Sequence, residues 1–85
     1  MKRKMRNVHP GEILKMELIE GRRLSMCKIA KSLGTTILNI SNILNGNAAI
    51  SPEIALRLET VFEGKADFFL RLQATYDLEE VKKRN

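Results

Sequence analysis

Residues 24–46, LSMCKIAKSLGTTILNISNILNG, decide the fold, because their small and apolar positions fall at helix-turn-helix intervals. Ile29 and Leu33 are four apart, as one face of a helix requires, and Gly34 follows where that helix must stop. Glycine accepts a left-handed backbone just past a helix end without a Cβ penalty. Thr35 and Thr36 then offer a hydroxyl N-cap, and Ile40, Ile43 and Leu44 form the buried stripe of a second helix. Ala30 sits where the two helices approach most closely. The pair, from about Ser25 to Leu33 and from about Thr36 to Leu44, reads as two short helices joined by a tight turn, the second offered to a DNA groove. An αα-hairpin with no ligand would use the same residue types. The agreement in register of small residue, turn Gly and apolar stripe favours the DNA-binding reading.

Outside this stretch the elements are also helical. Pro10 suits the first turn of a helix opened by His9, Pro10 and Gly11, with Ile13, Leu14 and Leu18 as its inner face and Gly21 as its end. Asn45-Gly46 is a turn signal. Ser51-Pro52-Glu53 opens a fourth helix in the order N-cap, N1 proline, first-turn carboxylate, with Ile54, Leu58, Val61 and Phe62 at helical spacing and Gly64 closing it. A fifth helix from about Ala66 to Lys82 has Phe69, Leu72 and Tyr76 on one face, while Phe68 and Leu70 leave its start apolar on nearly every side. An element apolar all round must be covered, so Phe68, Phe69, Leu72 and Tyr76 are candidates for dimerisation; the phenylalanines could instead plug the monomer core. The expectation is an all-α five-helix bundle containing a helix-turn-helix: a basic tail at 1–8 and one domain at 9–82 ending in a dimerisation helix.

Eighty-five residues are near the lower limit for a self-sufficient core, and with three Phe, one Tyr and no Trp that core must be aliphatic. Small chains often gain stability by dimerising. No run is long and apolar enough to span a membrane and no signal-peptide core opens the chain, so a cytoplasmic protein is expected. One cysteine, Cys27, excludes an internal disulfide, and with the lone His9 it cannot form a zinc site. Cys27 reads as a small filler and no metal or cofactor is expected. Enzymatic function is not expected: His9 stands at a helix start without a partner acid, and Glu79 and Glu80 diverge on a helix rather than pairing.

Charge divides the chain. Residues 1–50 carry nine Lys and Arg against three Glu, a balance of +6; residues 51–85 carry six basic against seven acidic, a balance of −1. The positive field lies on the half with the helix-turn-helix. From Ser32 to Pro52, however, no residue is charged. Phosphate attraction must then come from the flanks: Lys2, Arg3, Lys4, Arg6, Arg22, Arg23, Lys28 and Lys31. Ser25, Asn45 and Asn47, beside the helix ends, are further phosphate candidates through backbone N–H and polar side chains. The basic start suits a DNA-contacting arm or a solvated tail.

HPGEIL, the LSxxxxAxxLG pattern, ILNG, AISPEIALRLE and DFFLRLQATYDL together resemble the HigA-type antitoxins, a branch of the helix-turn-helix regulators with phage-repressor-like folds, from about His9 to Leu78. The resemblance implies a homodimer bound to a palindromic operator, repressing its own operon, and a toxin partner of the RelE-like mRNA-cleaving kind. It places two second-motif helices about one DNA turn apart, roughly 34 Å. The chain departs from its relatives where contacts matter. Met26 stands where a phosphate-reaching Gln is usual, Ile37 and Leu38 where Arg or Gln is common, Asn42 where a second Arg is frequent, and Asn47 in place of a Lys. Two explanations are open. Ile37 and Leu38 could read thymine methyls while Thr36, Asn39, Ser41 and Asn42 hydrogen-bond, Asn42 to an adenine, giving an A·T-rich half-site. Alternatively DNA binding has weakened and the chain survives as a toxin-binding partner, with Ile37 and Leu38 exposed or used in a protein interface, or it is purely a protein-interaction module. A stand-alone transcriptional regulator without a toxin is the third alternative.

Overall fold

The computed structural model describes residues 7–84 and is all-helical over them. Helix α1 (Pro10–Leu14) runs straight into a π-helical segment (Lys15–Gly21), followed by α2 (Met26–Ser32), α3 (Ile37–Leu44), α4 (Pro52–Phe62) and α5 (Ala66–Arg84). With the π-helical segment counted as the continuation of α1, these are the five helices expected from the sequence. Lys2, Arg3, Lys4 and Arg6 lie outside the described residues. Among the described residues no helix is long and apolar enough to cross a membrane.

Each helix start is encoded locally. The Ser25, Thr36 and Ser51 hydroxyls accept the N–H groups of Lys28, Asn39 and Ile54 at 3.1, 3.0 and 3.2 Å, and Pro52 and Glu53 follow Ser51 as expected. Each such cap satisfies an orphan N–H and contributes about 1 kcal/mol. His9 caps α1 in a less usual way, its Nδ1 accepting the Gly11 N–H at 2.8 Å while Glu12 Oε2 accepts the His9 N–H at 3.4 Å.

The first helical stretch ends at Gly21 and α4 ends just before Gly64, as expected, but neither glycine makes the left-handed step. After Gly21 that step falls on Arg23, at φ 59°, and the Leu24 N–H bonds back to the Leu18 carbonyl at 2.9 Å. At the end of α4 the left-handed residue is Glu63, φ 61°, rather than Gly64. Gly64 serves packing instead: a Cβ there would stand 2.8 Å from the Phe69 ring. The backbone bonds that close these turns outweigh a left-handed cost of about 1–2 kcal/mol for a residue with a Cβ.

The core is aliphatic, as composition requires. Leu14, Leu18, Ile29, Leu33, Ile40, Ile43, Leu44, Ile50 and Leu58 meet around Ala30 and Ala55, and Phe69 is the one buried phenylalanine among the described residues. Phe69 is 3% exposed and Phe68 is 46% exposed, so the two rings of the pair have separate roles. α1 and α3 approach closely at Gly11, where any Cβ would collide with the Ile43 carbonyl. The glycine of HPGE is thus a contact point between helices as well as part of a helix start.

Candidate nucleic-acid interface

The turn between α2 and α3 is built from the chain outward. Gly34 takes φ 66°, its N–H bonding to the Lys31 carbonyl at 3.2 Å, and the Thr35 N–H returns to Ala30 at 2.9 Å. Across this turn lies a residue that the sequence pattern did not single out. Arg57 of α4 donates from Nη1 to the Leu33 carbonyl at 2.9 Å and the Gly34 carbonyl at 3.4 Å, and from Nη2 to Glu53 at 2.8 Å. Its spacing from Glu53 signals only an exposed i,i+4 ion pair; the bonds to the turn require the fold.

With Ile40, Ile43 and Leu44 buried, the 100° step of an α-helix centres the outer face of α3 on Leu38, beside Ser41, Asn42 and Asn45. Leu38 is 72% exposed and Ile37, nearer the edge of that face, 51%. Thr36 is exposed at the N-cap, its hydroxyl oxygen accepting one bond from the Asn39 N–H. The Asn39 amide donates to Thr35 Oγ1 at 2.9 Å and the Asn45 amide to Ser41 Oγ at 3.4 Å. Asn39, Ser41 and Asn42 are half-buried; among the described residues the Asn42 amide makes no hydrogen bond to protein. The structure therefore gathers all six base-contact candidates at α3 and its cap, with Ile37 and Asn39 on the two flanks of the outer face.

The phosphate candidates separate. Arg23, Ser25, Lys28, Asn45 and Asn47 are exposed, with Ser25 engaged as the α2 cap. Arg22 is drawn to the end of α4, donating to the Phe62 carbonyl at 3.4 Å with its guanidinium 5.6 Å from the Phe62 ring centre. A carbonyl-rich helix end attracts a cation, so Arg22, though exposed, is partly engaged by α4. The backbone N–H groups after α3 are also committed: Gly46 bonds to Ile43 at 3.0 Å, and Asn47 and Ala48 to the Asn42 carbonyl at 2.7 and 3.1 Å. Asn45 and Asn47 thus offer side chains rather than backbone donors. Cys27, read from the sequence as a small filler, is exposed on α2, because the α2 face that meets the core is the Ile29–Ala30–Leu33 face.

The loop after α3 is held from below. The Ile50 N–H donates to Oε1 of buried Gln73 at 2.9 Å, and Gln73 Nε2 donates to Asp77 at 3.0 Å. His9 lies against Gly46 and meets Tyr76 edge-on at 4.8 Å between ring centres. Since Nδ1 accepts the Gly11 N–H, neutral His9 carries its proton on Nε2, toward the Ala48 carbonyl. Burial lowers the His9 pKa, partly opposed by Asp77, Glu12 and that carbonyl. Asn7 donates to the Tyr76 carbonyl and to Glu80, each at 3.1 Å, so the folded unit begins before His9.

On α5 the four dimerisation candidates part. Phe69 is core, and Tyr76 is half-buried against His9. Phe68 and half-buried Leu72 line a surface groove with Arg71 and Thr75. Burial of Phe69 removes it from any surface a partner could touch. Among the described residues no cluster of His, Cys, Asp and Glu is arranged to hold a metal ion.

An α2–turn–α3 unit with a core-supported second helix, an exposed outer face and basic residues beside its first helix defines a helix-turn-helix protein. No protein-family model matches the chain. Virulence-associated protein A of Dichelobacter nodosus is 41% identical over 80 residues, spanning 92% of this chain and 78% of that protein. Antitoxin HigA-1 of Vibrio cholerae is 30% identical over 83 residues, spanning 98% of this chain and 78% of the relative. The Pseudomonas aeruginosa antitoxin HigA, solved with the higBA promoter, superimposes with a TM-score of 0.88 at 31% identity, covering 94% of this chain and 87% of that one. The chain belongs to the HigA family of helix-turn-helix antitoxins.

Proposed function

We propose that this protein is an operator-binding antitoxin: a homodimer that places α3 in successive major grooves of a palindromic operator, represses its own operon and neutralises a RelE-like toxin. The single observation that carries the reading is the outward presentation of α3 by a core-anchored turn, in the fold of a relative solved on promoter DNA. Thr36, Ile37, Leu38, Asn39, Ser41 and Asn42 are the proposed groove residues, with Arg23, Lys28, Asn45 and Asn47 on phosphate and Ser25 supporting the α2 start. Phe68 and Leu72 supply the dimer contact on α5. A small basic reading frame of RelE-like type beside this gene is the accompanying expectation.

The test is binding of the purified protein to its own upstream DNA against shuffled DNA of equal composition, at two salt concentrations. A preference for its own sequence that persists at the higher salt supports the reading, since contacts to phosphate alone weaken steeply with salt and carry no sequence information. Equal binding to both, lost as salt rises, overturns it. That result would favour the second reading, a protein-interaction module, whose motivating observation is the apolar pair Ile37 and Leu38 standing exposed on α3.

A further inference from the structure

Resting on the operator-binding reading, we propose that α3 selects thymine chiefly through its C5-methyl group, with Leu38 and Ile37 as the methyl-reading side chains and Asn42 adding a bond to adenine. The argument is one of elimination on the face itself. A base edge can be read by a charged donor, a neutral amide or hydroxyl, or apolar contact with the thymine methyl. No charged side chain occurs between Ser32 and Pro52, so the Arg–guanine and carboxylate–cytosine pairings are absent from this helix. The Asn39 and Asn45 amides each spend one N–H within the protein, and the Thr36 and Ser41 hydroxyl oxygens each accept one internal bond, so their remaining polar capacity is reduced rather than removed. What α3 presents most fully is hydrocarbon: Leu38 at the centre of the face and Ile37 at its leading end. Asn42, one turn after Leu38, holds an amide with no hydrogen bond to protein among the described residues and fits the N6 and N7 edge of adenine.

A groove dominated by Leu and Ile would be costly against guanine or cytosine, whose polar edges would lose water without gaining partners. Against thymine the same side chains bury a methyl group. Specificity then resides in adjacent A·T pairs, and the exposed Arg23, Lys28 and Lys31 supply attraction to phosphate without altering it.

The experiment replaces thymine with deoxyuridine, one position at a time, in the upstream sequence the protein protects. Deoxyuridine keeps every pairing and edge hydrogen bond and deletes only the methyl. At one or two positions per half-site the affinity should fall about four-fold, the worth of one buried methyl group. At those positions Leu38→Ala or Ile37→Ala should bind thymine and deoxyuridine DNA equally, because the methyl no longer has a partner. Both side chains are exposed, so these variants keep the fold, which circular dichroism verifies. Sequence-preferring binding that is indifferent to deoxyuridine at every position overturns the proposal while leaving the operator-binding reading intact. A deoxyuridine penalty that persists unchanged in both variants also overturns it, since the methyl would then act through DNA shape. Absence of any sequence preference would defeat the operator-binding reading and this inference with it.

Discussion

Removing the guanidinium that spans the turn of the helix-turn-helix tests how that turn is held. In Arg57→Ala the Leu33 carbonyl, bonded at 2.9 Å, and the Gly34 carbonyl, at 3.4 Å, lose their donor, and Glu53 loses its partner at 2.8 Å. A hydrogen bond from a charged donor contributes about 1.5–3 kcal/mol when shielded from water. The Arg57 side chain is 43% exposed, which places the main bond near the lower end of that range. The exposed i,i+4 pair with Glu53 adds about 0.3–0.5 kcal/mol. The sum, about 2 kcal/mol, corresponds to a melting temperature lower by about 8–16 °C in a domain of this size. Thermal denaturation followed by circular dichroism, at one protein concentration so that the proposed self-association does not shift the midpoint, reads the effect directly. Glu53→Gln removes the ion pair but not the bonds to the turn and should cost about 0.5 kcal/mol or less. Arg57→Lys, a point donor in place of a fork, should fall between the two. Operator affinity should follow the same order, since the turn sets the direction of α3. Equal melting of Arg57→Ala and Glu53→Gln would refute the role of Arg57 at the turn.

Two further outcomes follow from the interior. His9 is kept neutral by burial and its Nδ1 must remain an acceptor, so its folded pKa lies below the ordinary value of about 6.5. The stability this contributes is complete above pH about 6.5 and is lost as pH falls, because the unfolded chain takes up the proton first. Melting temperature should therefore decline from pH 7 toward pH 5, and His9→Asn, an uncharged cap, should flatten that decline; an unchanged slope in the variant would assign it to other groups. Phe69→Ala should cost about 3–5 kcal/mol by emptying the core, whereas Phe68→Ala should cost under about 1 kcal/mol and instead weaken self-association measured by sedimentation. Comparable destabilisation by the two would show that the aromatic pair acts as one unit.

Much of the fold was legible because it is written in local pattern. The Ile29–Leu33 spacing, the turn glycine at Gly34, the caps at Ser25, Thr36 and Ser51 and the apolar stripe of α3 each depend on residues within a turn or two of one another. Short-range hydrogen bonds and helical periodicity act over that distance, so the sequence states them directly. The outer face of α3 was legible for the same reason, since naming its buried residues names the exposed ones. Local pattern was less informative at helix ends. Gly21 and Gly64 mark where the helices end, yet the left-handed step falls on Arg23 and Glu63, because closing backbone bonds offset the conformational cost.

By itself, then, the sequence determined an all-helical chain, its helix starts, an aliphatic core and an uncharged outer face on the second motif helix. Tertiary structure decided which of two adjacent phenylalanines enters the core, that Gly64 is required by the Phe69 ring, and that Gly11 is required by the Ile43 carbonyl. It also decided that Arg57 crosses the turn from 23 and 24 residues away, that Gln73 accepts the Ile50 N–H, and that His9 joins α1, the loop after α3 and α5. These arrangements depend on which helices cross and how closely. Residues far apart in the chain acquire partners only when packing brings them within a hydrogen bond or a van der Waals contact of one another.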